Sequence, residues 1–131
     1  MKNKSYKTQA RLHYYGYDNK ENVLSVSKED DLKANYIWSY NQTYPIAKIE
    51  NADYATIETV LRGSAQVIAF SSKALPTNAE IKTFLALLFT DTRLNKALVT
   101  TYYEYDTFGR LKCIKDDDGH ILKTYEYHYK P

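Results

Sequence analysis

The side chains that could serve as nucleophile, base or metal ligand are few and widely spaced. The chain has one cysteine, Cys113, and three histidines, His13, His120 and His128. A thiolate can act as a nucleophile when folding brings a histidine beside it. Cys113 with a histidine is therefore an enzymatic alternative, but its alternation with Leu111 favours a small packed side chain. No two histidines have HxxxH or HxH spacing, so the sequence predicts no zinc site.

A run of acidic residues at 116–118, followed by Gly119, has the composition of a calcium loop but not its pattern. Calcium ligands alternate along such a loop, and a bidentate glutamate closes it. Both features are missing here, so we expect a solvated hairpin turn. The chain also has no glycine-rich phosphate loop and no Gly-x-Ser-x-Gly elbow. The sequence thus predicts a non-enzymatic protein with no cofactor and no metal.

Aromatic chemistry is what the composition favours, because 14 of the 131 residues are tyrosine. Such rings can stack on sugars or on bases. Acidic residues lie among the rings and the net charge is only +2, so we expect no nucleic-acid partner. A glycan stays open, since stacking on a sugar needs no charge, although packing within the protein would use the same rings. The candidate binding residues are Tyr36, Trp38, Tyr40, Tyr103, Tyr105, Tyr125 and Tyr127.

The tyrosines recur at every second residue, which places them on one face of a β-strand. The first three runs are each followed by a polar turn and a short aliphatic segment, at 23–26, 46–49 and 110–114. This unit of aromatic strand, turn and aliphatic strand repeats, and it predicts a series of β-hairpins. The aromatic runs are Tyr15 with Tyr17, Tyr36 with Trp38 and Tyr40, Tyr103 with Tyr105, and Tyr125 with Tyr127 and Tyr129.

The segment 53–95 breaks this pattern and favours helices. Asp53 is a candidate N-cap, and Thr77 with Glu80 has the spacing of a capping box. We predict helices over about 53–62 and 77–90, with 67–70 too short to assign. The second helix carries an apolar stripe: Ile81, Phe84, Leu85 and Leu88. A partner-binding face is one reading of this stripe, but packing on the chain's own sheet is favoured, and the two helices would then cover the aromatic face of the sheet.

The predicted fold is α+β and mainly β: a twisted antiparallel sheet of hairpins with a two-helix insertion packed on one face. The length suits a single domain over residues 1–131. Within it we expect hairpin repeats at 10–50, the helical insert at 53–95 and a last repeat at 98–129. The longest apolar run, 84–89, is far shorter than the roughly 20 residues of a membrane-spanning helix. No signal peptide is recognisable at the N-terminus.

The last repeat resembles the tyrosine–aspartate (YD) repeat of the RHS (rearrangement hotspot) protein family. The matching pattern is aromatic-x-Tyr-Asp, then Gly-Arg-Leu, then Asp-Gly, over residues 102–127. Residues 12–50 are a looser copy, with Lys20-Glu21-Asn22 where Gly-Arg should stand. The stretch 36–51 and the helical insert are similar to RHS-type proteins of Bacteroidetes bacteria.

The resemblance implies a structural role. Proteins of this family wind many hairpins into a β-shell that is exported or attached to the cell surface, and the repeats have been linked to carbohydrate binding. With about three repeats, this chain would be a remnant, a C-terminal piece or a small stand-alone relative. We therefore expect a structural or interaction module of a cell-surface or secreted protein. It would self-associate through an edge strand, Lys123–Tyr129; the alternative is a carbohydrate-binding module.

Overall fold

A computed structural model describes residues 12–28, 32–105, 111–115 and 121–124. Its seven strands form one antiparallel sheet in which every strand pairs with its neighbours in the chain. The strands are β1 (Leu12–Tyr17), β2 (Val23–Lys28), β3 (Ala34–Ser39), β4 (Tyr44–Glu50), β5 (Leu98–Tyr105), β6 (Leu111–Lys115) and β7 (Ile121–Thr124).

The fold class predicted from the sequence is confirmed: α+β, mainly β, with helices on one face of an antiparallel sheet. The two-residue aromatic spacing identified β1, β3 and β5 correctly. The aliphatic segments after the turns form β2, β4 and β6. Tyr125, Tyr127 and Tyr129 lie outside the described residues, as do most of the expected edge segment and the acidic turn at 116–119.

The helical insertion separates two strands that are nevertheless direct partners. Ala47 pairs with Thr101, and Glu50 pairs with Leu98, although residues 51–97 lie between the two strands. The sheet is therefore continuous across the insertion. The helices are an insertion between two paired strands and do not divide the sheet in two.

The insertion contains one more long helix than the sequence predicted. Its helices are α1 (Tyr54–Val60), α2 (Ser64–Ser71), α3 (Asn78–Leu85) and α4 (Leu87–Thr90), followed by a 3₁₀ turn at Thr92–Leu94.

The two predicted helix starts are correct in position but differ in chemistry. At α3 the full capping box is present: Thr77 Oγ1 accepts from the Glu80 amide at 3.1 Å, and Glu80 accepts from the Thr77 amide at 2.9 Å. At α1, Asp53 occupies the N-cap position without capping. Its carboxylate instead accepts a 2.8 Å hydrogen bond from Lys33 Nζ.

The helices cover an aliphatic face of the sheet, and the core lies between them. Along β3, buried Asn35, Ile37 and Ser39 alternate with half-buried residues that point the other way. The buried hydrophobic residues of this core include Ile37, Ile46, Ala47, Ile49 and Val99 from the sheet and Ile57, Val60, Val67, Phe70, Ile81, Leu85 and Leu88 from the helices.

The expectation that the helices cover the aromatic face is wrong for β3. Tyr36 and Trp38 are half-buried on the opposite face, because they alternate with the core residues of that strand. Together the helices present mainly aliphatic side chains to the sheet. These side chains pack on the aliphatic residues of the face that they cover. No described helix is long and apolar enough to cross a membrane.

Candidate functional site

A pocket of about 320 Å³ lies between the first hairpin and the helices, and it is a candidate site in the described parts of the chain. Its lining combines apolar side chains, polar side chains and two tyrosines. The lining residues are Tyr17, Asp18, Asn19, Leu24, Gln42, Tyr54, Glu58, Val67, Ile68, Ser71 and Ser72.

The turn between β1 and β2 forms one wall of this pocket, and Asp18 holds it in shape. The Asp18 carboxylate accepts hydrogen bonds from the amides of Lys20 and Asn22 and from Asn22 Nδ2, each at 2.9 Å. Burial raises the pKa of this carboxyl group, but these hydrogen bonds outweigh burial and the net pKa is lowered. Asp18 is therefore a fixed negative charge.

A left-handed turn after β3 connects this wall to the helices. Tyr40, Asn41 and Gln42 are consecutive non-glycine residues with φ of 56°, 55° and 58°. This conformation is unfavourable for L-residues, and contacts to the rest of the protein must stabilise it. Asn22 Nδ2 donates to the Gln42 carbonyl at 2.7 Å, and Lys20 Nζ donates to that of Asn41 at 2.9 Å.

The same turn binds the C-terminal end of α2, whose last carbonyl groups have no partner within the helix. The Asn41 amide donates to the Lys73 carbonyl at 2.7 Å, and the Gln42 amide donates to that of Ser71 at 2.9 Å. Ser39 Oγ donates to the carbonyl of Phe70 at 2.8 Å. The hairpin turn, the left-handed turn and the helix end thus form one hydrogen-bonded frame around the pocket.

Helix α1 contributes two polar groups, Tyr54 and Glu58, which lie four residues apart and so on one helix face. Neither side chain makes a hydrogen bond or ion pair with any residue the structure describes. Burial raises the pKa of Glu58. Burial also raises the pKa of Tyr54, and the nearby charges of Glu58 and Asp18 raise it further. The pocket therefore holds a partly desolvated carboxyl group that has no counter-charge among the described residues.

The sequence-predicted candidates Tyr36 and Trp38 lie outside this pocket, on the face of the sheet that no described helix covers, which we call the uncovered face. Tyr36 lines a depression of about 460 Å³ together with Lys48, Glu50 and Leu98. The indole Nε1 of Trp38 donates to the carbonyl of Val23 at 2.9 Å. Trp38 thus strengthens the contact between β2 and β3, which has only two registered residue pairs.

Tyr40 and Tyr105 belong to a separate aromatic cluster at the end of the sheet. The strand β3 ends at Ser39, so Tyr40 turns away from the run of Tyr36 and Trp38. Its ring contacts those of Tyr44 and Tyr105 at centroid distances of 5.5 and 5.3 Å, and Tyr44 stacks on Tyr105 at 4.8 Å. These contacts give the three rings a packing role.

The remaining candidates are only partly placed. Tyr103 lies in β5 opposite Cys113 in β6, and His13 is exposed on β1. Tyr125, Tyr127, His120 and His128 lie outside the described residues. In the described parts of the chain, no three His, Cys, Asp or Glu side chains are grouped to hold a metal ion.

Sequence reasoning did not find the pocket. Two local signals were present: the adjacency of Tyr17 and Asp18, and the four-residue spacing of Tyr54 and Glu58. Nothing in the sequence showed that the helix α1 would face the first hairpin turn, because that contact depends on how the insertion folds back. A search of protein-family models, curated proteins and solved structures finds no match to this chain.

Proposed function

We propose that this chain is a non-enzymatic structural or interaction module of the RHS/YD-repeat type, belonging to a cell-surface or secreted repeat protein. The pairing of β4 with β5 across the insertion carries this proposal. It makes the chain a continuous strip of consecutive hairpins, which is the arrangement that a repeat array requires. The helices add a cover to one face without interrupting the strip.

A strip of this kind has two edges, and we expect a second copy of the chain to bind at the β7 edge. The edge strand β1 has two register shifts against β2, at Tyr14/Gly16 and at Gly16/Tyr17. Such bulges twist an edge and reduce pairing with other chains. The strand β7 pairs with β6 on one side, and no described strand lies on its other side. We therefore expect two copies to associate through the β7 edge.

Light scattering and amide hydrogen exchange over a range of protein concentrations would test this association. We expect the mean mass to rise with concentration, and the amides of residues 121–124 to become more protected while those of β1 do not. The β1 strand serves as the control within the same molecule. A strict monomer at high concentration would contradict association, as would increased protection confined to β1.

A second candidate function is carbohydrate binding on the uncovered face of the sheet. Tyr36 favours it, because this half-buried ring lines the open depression beside Lys48 and Glu50. A ring wall with hydrogen-bonding groups beside it suits the apolar face and the hydroxyl groups of a sugar.

The single tryptophan of the chain, Trp38, provides a direct measurement of this second function. Its fluorescence should shift on addition of a sugar that binds, and Tyr36→Ala should abolish the shift. Tyr44→Ala, which changes a ring in the separate aromatic cluster, is the matched control. A glycan array without signal would count against carbohydrate binding and would leave the structural proposal untouched.

A further inference from the structure

The pocket between the first hairpin and α1 carries negative charge. Among the described residues, its lining contains two carboxylates, Asp18 and Glu58, and no lysine, arginine or histidine. Asp18 is held in the anionic form by the hydrogen bonds of the turn. Anionic ligands such as phosphates and carboxylates would be repelled, so the charge alone selects neutral or cationic ligands.

Glu58 favours a cation over a neutral ligand. A partly desolvated carboxylate without a partner is unfavourable, and a cation that binds beside it removes that cost. Burial raises the pKa of its carboxyl group, and Glu58 makes no ion pair within the described residues. The Tyr54 hydroxyl on the same helix face has no partner within the described residues, and it can also accept or donate a hydrogen bond there.

The tyrosine in the wall of the pocket also favours a cation. Tyr17 lines the pocket with 53% of its surface exposed, and its ring stacks on that of Tyr14 at 5.7 Å. A tyrosine ring on the wall of a pocket can attract a cation through the negative face of its π-system. Leu24 and Val67 supply the apolar surface that the carbon atoms of an organic cation would cover.

We infer that this pocket binds an organic ammonium group, with Glu58 and Asp18 as counter-charges and Tyr17 as an aromatic wall. The volume of about 320 Å³ fits a small amine or the end of one long cationic side chain. The ammonium group could belong to a free small molecule or to a lysine of another protein. This inference does not depend on the proposed repeat function, since it concerns a pocket on the opposite face of the sheet from Tyr36.

Nuclear magnetic resonance titration of the full chain would test the inference with four probes. These are choline, n-butylammonium, the blocked peptide acetyl-Gly-Lys-Gly-amide, and 3,3-dimethylbutan-1-ol, which is the uncharged carbon isostere of choline. We expect the cations to shift the amide resonances of residues 17–19, 54–58 and 67–72 saturably. The neutral alcohol should shift them little. A peptide that binds more tightly than n-butylammonium identifies the source as a partner protein, and the reverse order identifies it as a free amine.

Variants make the test specific. Glu58→Gln keeps the shape of the side chain and removes its charge, so affinity for choline should fall about tenfold or more. Tyr17→Leu keeps an apolar wall without the ring and should weaken choline about threefold. Glu50→Gln, on the other face of the sheet, is the matched control and should change nothing.

Three results would overturn the inference. The first is equal binding of choline and of the neutral alcohol. The second is unchanged choline affinity in a Glu58→Gln variant whose spectrum shows the native fold. The third is a cation effect spread over the surface without saturation.

Discussion

The two faces of the sheet are built from the same strands but have different chemistry. On the covered face, Ile37, Ile49 and Val99 are at most 2% exposed. On the uncovered face, Tyr36 and Lys48 are half-buried and Leu98 is 54% exposed. Residues that are neighbours in sequence therefore contribute very differently to stability, because alternation along a strand sends them to opposite sides. Aromatic spacing alone therefore does not identify which face of the sheet packs in the core.

The largest difference in stability between a buried and an exposed position should come from asparagine substitutions. Asn35 is fully buried on the covered face, where its Nδ2 donates to the carbonyls of Ile49 and Ala52 at 3.1 and 2.7 Å. Asn35→Asp would remove both donors and place a carboxylate against those carbonyl oxygens. We expect a loss of about 3 kcal/mol or more in the free energy of unfolding, measured by chemical denaturation.

The control for Asn35→Asp is Asn51→Asp. Asn51 also donates its Nδ2 to a carbonyl, that of Lys96 at 3.2 Å, but it is exposed. Water can solvate the new charge there, so the cost should stay below about 1 kcal/mol. Similar costs at the two positions would contradict the claimed difference in burial.

An aliphatic pair gives the next largest effect. Ile49→Ala would leave a cavity in the core and should lower the free energy of unfolding by about 2–5 kcal/mol. Leu98→Ala, in the adjacent strand but on the uncovered face, should change it by less than about 1 kcal/mol. Thermal or urea unfolding of both variants would measure the difference. A large loss for Leu98→Ala would mean that something covers that face.

A substitution at a buried threonine should raise the free energy of unfolding instead of lowering it. Thr101 is fully buried, and its Oγ1 has no hydrogen-bond partner among the described residues. Thr101→Val replaces this hydroxyl with a methyl group of similar size, so we expect stabilisation by about 1 kcal/mol. Thr100→Val, one residue away on the uncovered face, should be nearly neutral. Destabilisation by Thr101→Val, measured by urea unfolding, would show that the hydroxyl is hydrogen-bonded after all.

The smallest effect concerns the helices that form the cover, and it depends on pH. The hydrogen bond from the Thr77 amide is the main cause of the lowered pKa of Glu80, with Lys73 contributing further. A carboxyl group whose pKa is lowered in the folded state stabilises the fold at pH values above its ordinary pKa of 4.5. This contribution is lost as the pH falls through the folded-state pKa.

Glu80→Gln should therefore be slightly less stable than the native chain at neutral pH. The difference should disappear in acid, which melting temperatures measured from pH 7 to pH 2 would show. Lys82→Gln, on the same helix but outside the capping box, is the control and should show no such loss in acid. A constant difference at every pH would contradict a role for the Glu80 charge.

Much of the fold could be predicted from local patterns. Alternating aromatic residues identified β1, β3 and β5, since such spacing suits a pleated strand. The Thr77 and Glu80 spacing located the start of α3, because a capping box needs only residues three apart. Helix α2 was missed: its core residues Val67 and Phe70 form too short an apolar signal to separate a helix from a strand.

The candidate site was much harder to predict. Tyr40 was assigned to the same face as Tyr36 and Trp38, but the left-handed turn removes it from the strand. That turn is stabilised by hydrogen bonds from residues about twenty positions earlier and to residues about thirty positions later. No local pattern reports such distant partners, so neither the turn nor the pocket beside it could be predicted.

Local side-chain patterns specify which segments form strands, where the helical insertion lies and how α3 begins, because each of these depends on side chains within a few residues of one another. Which face of the sheet the helices cover depends on long-range packing. That packing also decides that Tyr17, Asp18, Tyr54 and Glu58 share a pocket. The physical reason is that both outcomes depend on packing between segments far apart in the chain, where burial and hydrogen bonding override local preference.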